Sequence, residues 1–343
     1  MNLSAITLQE IALAHERIRP YIRHTPLEYS EEFSYLYSSN VYLKLENLQV
    51  TGSFKTRGAF NKLLSLDKTK SKGGVIASTA GNHGIGLAYA AHKLNIPVHV
   101  YLPRDADLGK VQSLERYGAL LSFFDSIEEA RVSALKAAEE KEHFFLSAYN
   151  DRAVIAAGGT VGLEILDDLS DVGIVITSMG GGGLASGMCL ALKGVNPKIE
   201  VWGVQTKNSP SLAVWYQNGK VTPVDLKPSI AEGLSGSIEP ETVTFPIIQK
   251  HIDRILTVTE AEIIAAMKIM LDSQYIVEPS GAAGIAALKQ CGKELNGRKV
   301  AVVVTGRNIS WPRLTSLVGD TSNTTHSFLY GGINKNGCPF GNL

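Results

Sequence analysis

Apolar residues fall along this chain in short blocks. Val41–Leu45, Gly74–Ser78, Pro97–Leu102, Leu120–Phe124, His143–Leu146, Val172–Thr177, Val201–Gln205, Ile255–Val258 and Val300–Val304 are of strand length and mostly rich in β-branched or aromatic residues. Between most of them lie alanine-rich or amphipathic stretches, among them Gly84–Leu94, Ser126–Lys141 and Glu260–Leu271, with apolar positions at helical spacing. Strands alternating with helices in this way predict an α/β chain with mainly parallel, helix-covered sheets. Val300–Val304 is apolar on both faces and reads as a central strand. No segment is low-complexity and none repeats. Past Gly319 the periodicity fades into Gly, Ser, Asn and Thr, so residues 321–343 read as an irregular C-terminal tail.

The chain of 343 residues is longer than one average domain and shorter than three. Lys+Arg and Asp+Glu are both 33, and the basic residues form no cluster, which argues against a nucleic-acid or acidic-membrane partner. Cys189, Cys291 and Cys338 are far apart and outside C-x-x-C spacing. That pattern speaks against a disulfide framework or a cysteine zinc site and fits a reducing cytoplasm. Met1–Arg17 mixes apolar and charged residues, with Glu10 and Glu16 inside it, unlike a signal peptide. No apolar run is long enough to span a bilayer. A soluble, cytoplasmic protein is expected.

Four stretches could carry chemistry. Thr51-Gly52-Ser53-Phe54-Lys55-Thr56-Arg57-Gly58 holds a lysine between a strand and an apolar helix expected over Ala59–Leu66. It departs from a P-loop because Phe54, not glycine, precedes the lysine; a surface lysine beside a helix cap is the plain alternative. Ser78-Thr79-Ala80-Gly81-Asn82-His83-Gly84 leaves a strand and opens a helix, where free N–H groups suit a carboxylate or phosphate. Gly180-Gly181-Gly182-Gly183 lies between a strand and the helix expected over Ala185–Leu192. Four adjacent glycines cost much chain entropy for a mere turn, and they suit a loop of backbone N–H groups converging on a phosphate. Their spacing is not that of the dinucleotide fingerprint. Thr305-Gly306-Arg307-Asn308 ends the most apolar strand, where α/β sheets place ligands.

Taken together with Arg19-Pro20, His24-Thr25-Pro26-Leu27, Ala231-Glu232-Gly233-Leu234 and Val277-Glu278-Pro279, these stretches resemble, in order, the fold-type II pyridoxal phosphate (PLP) enzymes. The resemblance is to the threonine/serine dehydratase and serine racemase group and runs from about Ile11 to about Trp311. It implies two parallel-sheet α/β domains with the cofactor in the cleft. Residues 1–49 with 151–320 would form the large cofactor domain, and 50–150 a small domain carrying the lysine and the carboxylate loop. Lys55 would bond covalently to PLP. Phe54 and Asn82 would contact its ring, Gly180, Gly181, Gly182 and Gly183 its phosphate, and Thr305 its pyridine nitrogen. Thr79, Gly81 and His83 would hold the substrate carboxylate.

The implied reaction removes water and ammonia from a small β-hydroxy amino acid such as L-threonine or L-serine, leaving a 2-keto acid. A hydroxyl such as Thr305 is too weak an acid to keep the ring nitrogen protonated, which favours prompt loss of a β-leaving group. Serine racemase and a dehydratase of a hydroxyaspartate or a hydroxyectoine-pathway intermediate are the alternatives within this group. Serine racemases place a serine proton donor where this chain has Ala80, so elimination is expected to outrun racemisation. A non-catalytic ligand-binding protein on the same fold is the rival of another class, and the presence of Lys55 speaks against it. Some relatives bind a divalent cation through a glutamate and a further acidic residue where this chain has Gln205 and, nearby, Ser211; no bound metal is expected. The family favours homodimers.

Overall fold

The computed structural model describes residues 6–66, 73–79, 81–140, 143–239 and 241–319. Ala80, Cys338 and the expected tail over 321–343 lie outside the described residues.

Among the described residues there are ten strands: β1 (Leu27–Tyr29), β2 (Asn40–Lys44), β3 (Val75–Ser78), β4 (Val98–Pro103), β5 (Leu120–Phe124), β6 (Phe144–Phe145), β7 (Ile174–Ser178), β8 (Glu200–Thr206), β9 (Arg254–Val258) and β10 (Lys299–Val303). They form a six-stranded sheet in the order β1-β2-β10-β7-β8-β9 and a four-stranded sheet in the order β5-β4-β3-β6. All pairings are parallel except β1 against β2. The runs read as strands are strands, with shifted ends. His143–Leu146 shrinks to the two residues of β6, which pair with β3. The edge strand β1 carries no alternation over its three residues, so the apolar pattern does not mark it.

Val300–Val304 does take the central place: β10 pairs with β2 on one side and β7 on the other, Val300 standing opposite Val41 and Ile174. Both faces of this sheet are covered. One packs on helices Glu260–Asp272 and Pro279–Cys291, the other on helix Gly183–Val195. The smaller sheet has its own core, in which Val75, Ala77, Val100 and Leu102 meet Ala59, Phe60 and Leu87. Among the described residues, no helix is long and apolar enough to cross a membrane.

A cluster of charges without solvent access joins the segment after Lys55 to the larger sheet. Arg57 donates to Glu46 through Nε (2.8 Å) and Nη2 (2.7 Å), and to Glu164 through Nη1 (2.6 Å) and Nη2 (2.8 Å). Lys44 reaches Glu164 at 2.8 Å and the Thr25 carbonyl at 2.7 Å, and Thr25 Oγ1 donates to Glu46 at 2.5 Å. Arg57, Lys44 and Glu46 are 0% exposed and Glu164 1%. Two positive and two negative groups share the interior, each with hydrogen-bonded partners, the condition under which buried charge is tolerated.

Candidate active site

Lys55 opens helix Lys55–Ser65, four residues earlier than the apolar pattern from Ala59 suggested. Because that first turn is polar, it carries no apolar stripe for sequence reading to detect. A bridge between Ser53 and Gly306, and the Phe54 N–H donating to the Thr305 carbonyl at 3.2 Å, fix the lysine loop to the end of β10. Lys55 Nζ donates to the Ala148 carbonyl at 2.9 Å and stands 5.1 Å from the centre of the Phe54 ring. Burial pushes its pKa down to about 8, against an opposing pull from the Glu278 carboxylate. A lysine so placed is in part a neutral, nucleophilic amine near neutral pH.

The second loop is held against the first at a glycine. A Cβ on Gly86 would lie 3.0 Å from the Thr56 nitrogen and 3.1 Å from the Lys55 carbonyl carbon, so helix Asn82–Leu94 can lie this close to the lysine's helix only with glycine there. Thr79 Oγ1 accepts from the Gly81 N–H at 3.1 Å, and among the described residues the N–H groups of Asn82, His83 and Gly84 at the helix start have no acceptor. The His83 ring is buried, with Nε2 3.0 Å from the Leu146 carbonyl. Burial and the neighbouring Lys55 push its pKa down to about 4, so the ring is neutral. Asn82 stands between two partners: Nδ2 donates to the Glu278 carboxylate, and Oδ1 accepts from Asn308 Nδ2 at 2.7 Å.

In the third loop Gly182 has φ +87°, and a Cβ on Gly181 would come within 2.4 Å of the Tyr149 ring. Among the described residues the N–H groups of Gly180, Gly181 and Gly182 donate to no protein acceptor, and Gly183 begins helix Gly183–Val195. The loop is thus a concave row of free donors at a positive helix end. Thr305 is buried, and its Oγ1 donates to the Ser280 carbonyl at 3.3 Å.

The structure therefore gathers Lys55, Phe54, Asn82 and Thr305 through bonds between their loops. It also supplies members that sequence reading gave no role: Glu278, Asn308 and Ser280. Burial pushes the Glu278 pKa up, opposed by Lys110 and by the bond from Asn82. Glu278 and Asn308 lie 196 and 226 residues from Asn82 in sequence, and no spacing rule in one chain connects them. A partly neutral buried amine beside an aromatic ring, a glycine loop of free donors and a buried hydroxyl fit the carbonyl, ring and phosphate of PLP.

The comparisons with known proteins agree. Residues 18–306 match the family described as pyridoxal-phosphate dependent enzyme. An L-threonine ammonia-lyase of Thermotoga maritima is 40% identical over 306 residues, covering 89% of this chain and 76% of that protein. An L-threo-3-hydroxyaspartate ammonia-lyase of a Pseudomonas species is 33% identical over 320 residues, covering 93% and 99%. Maize serine racemase superposes with a TM-score of 0.86 at 31% identity, covering 90% of this chain and 96% of that one. On the extent of the family match and the chemistry of its lysine, glycine and threonine loops, the chain belongs to the pyridoxal-phosphate-dependent enzymes.

Proposed function

We propose that this chain is an ammonia-lyase that converts a small β-hydroxy amino acid, L-threonine or L-serine, to the 2-keto acid and ammonia. The observation that carries this reading is Lys55: an amine of lowered pKa, bonded to the Ala148 carbonyl beside Tyr149, on whose ring Gly181 packs, with its own helix start held against Gly86 of helix Asn82–Leu94. The threonine ammonia-lyase relative supports the substrate class.

PLP, when bound, supplies a carbonyl that condenses with amines and a ring that draws electrons from the substrate α-carbon. Gly180 to Gly183 would hold its phosphate through backbone N–H groups, Phe54 and Asn82 would contact its ring, and Thr305 Oγ1 would face its nitrogen. The Asn82, held by Glu278 and Asn308, cannot swing away from its place. The helix start at Asn82, with Thr79 and Gly81 shaping the turn and His83 anchoring it from below, binds the substrate carboxylate. Lys55 Nζ takes the α-proton as general base. The enamine released on loss of the β-hydroxyl hydrolyses to keto acid and ammonia. Residues 50–150 form a smaller domain that closes on the larger one, 1–49 with 151–320, and excludes water. Cytoplasmic residence, supported by the buried free thiols of Cys189 and Cys291, and a homodimer complete the reading.

The test is a panel of L-serine, L-threonine, D-serine and L-threo-3-hydroxyaspartate, following keto acid, with D-serine also followed as a product of L-serine. Keto acid from L-threonine or L-serine supports the reading; D-serine forming as fast as pyruvate overturns it in favour of a racemase.

Two expected outcomes arise at this site. Because the Lys55 amine must be neutral to attack a carbonyl, PLP uptake by the apoenzyme speeds up as pH rises through the folded pKa of about 8. Between pH 7 and 9 the rate is expected to rise about tenfold and then level off; stopped-flow absorbance measures it, and a rate still climbing past about pH 10 contradicts the lowered pKa. The second concerns metal. Gln205 Oε1 accepts from the Ala213 N–H at 2.8 Å and the side chain brings no charge, where hard cations depend on carboxylates. Chelation by EDTA is expected to change keto acid release by less than about twofold; full loss restored by magnesium is the contrary result.

A further inference from the structure

Beside the carboxylate loop stands an ion pair that the reaction above does not use. Lys110, on helix Leu108–Arg116, is 7% exposed, and its Nζ would lie 3.7 Å from a Cβ on Gly81. The ammonium donates to Glu232 Oε2 at 2.6 Å and lies 4.0 Å from Glu278 Oε2. Glu232 comes from the far side of the site, in the short turn Glu232–Leu234. The N–H of the next residue, Gly233, donates to Ser280 Oγ at 2.9 Å, and the Gly233 carbonyl borders Gly180, where a Cβ would meet it at 2.5 Å. One end of the pair thus rests on the carboxylate loop and the other on the glycine loop, and a substrate lying between those loops lies alongside it.

The charge balance of the pair is telling. Burial works against the Lys110 charge, and Glu278 and Glu232 together more than reverse that, so it stays protonated. Asp107 adds a third carboxylate nearby, already occupied by Ser310 and by the N–H groups of Gly109 and Lys110. The Glu232 side chain is 47% exposed, and among the described residues its Oε1 has no partner. A cation that could meet a second substrate carboxylate is present but committed, and a free carboxylate oxygen of the protein stands where that second carboxylate would come.

Resting on the reading given under the preceding heading, we propose that Glu232 sets the substrate class: by holding Lys110 it admits neutral β-hydroxy amino acids and turns away β-hydroxy dicarboxylic ones. Glu232→Gln keeps the shape and a hydrogen-bond acceptor for Lys110 while removing the negative charge. The experiment compares kcat/KM of the holoenzyme for L-threonine and L-threo-3-hydroxyaspartate. Wild type favours L-threonine; in Glu232→Gln the ratio of hydroxyaspartate to threonine rises by about tenfold or more, the size a like charge carries at a few ångströms, chiefly through KM. Glu232→Ala moves the ratio the same way, and Lys110→Met added to Glu232→Gln removes the gain. A ratio unchanged in both Glu232 variants, a gain that survives loss of Lys110, or a wild-type preference for hydroxyaspartate overturns the proposal. A wild type that releases keto acid from neither substrate sinks the ammonia-lyase reading itself, a separate result.

Discussion

Lys55→Ala is expected to release no measurable keto acid and to lose the visible absorption that lysine-bound PLP gives, while melting close to wild type. The substitution removes both the amine that captures the cofactor carbonyl and the base that takes the α-proton. Proton transfer alone is typically worth about 100- to 10,000-fold, and covalent capture adds to it, so a fall of at least about 1,000-fold is expected. The neighbouring cation cannot stand in, because the Lys110 ammonium is committed to Glu232 and kept protonated there. The fold should tolerate the change, since among the described residues the only side-chain hydrogen bond lost is the one from Nζ to the Ala148 carbonyl. Borohydride reduction followed by peptide mass mapping is the direct check. Label found on another lysine at wild-type yield would place the covalent link elsewhere.

Arg57→Met, two residues on, should act through stability first. Removing the guanidinium leaves Glu46 and Glu164 in the interior with only Lys44 as counter-charge. Breaking a buried pair by deleting one partner costs about 3–5 kcal/mol, so for a chain of this length the thermal midpoint should fall by roughly 5 °C. Arg57→Lys is expected to recover only part of that loss, because a single ammonium cannot make the paired bonds to both carboxylates. Calorimetry of wild type and both variants decides it. A midpoint for Arg57→Met within about 2 °C of wild type would mean that the cluster contributes little net energy.

Much of this architecture could be read before any coordinates, and the reasons differ by element. Parallel strands buried on both faces leave continuous apolar runs, so β7, β8 and β10 stood out. β1 did not, because three residues at a sheet edge carry too little pattern. The lysine and glycine loops were legible because their chemistry is local: free N–H groups or a strained backbone within a few residues. Glu278, Asn308 and the Lys110–Glu232 pair were not, because their meaning arises only when distant segments meet. The segments Ala231–Leu234 and Val277–Pro279 carry their resemblance in their order alone, and order does not tell which side chains touch. The Arg57 cluster was hidden for a similar reason, since Lys44, Glu46, Arg57 and Glu164 read as surface charges at typical composition.

The place of β10 has a consequence for how the chain is made. Among the described residues, the strand at the middle of the larger sheet is the last to be synthesised: Lys299 pairs with Asn40 on one side, and Val300 with Ile174 on the other. Until it emerges from the ribosome, β2 and β7 face each other across a gap, each with an open edge. The smaller sheet, whose strands all lie between Val75 and Phe145, can form meanwhile from nearer neighbours. Between the synthesis of β7 and that of β10 the nascent protein therefore holds a half-built sheet with two unpaired edges, the kind of species that chaperones attend. The same late strand leads into Thr305 and the Ser53–Gly306 bridge, so the cofactor site is completed in the step that closes the sheet.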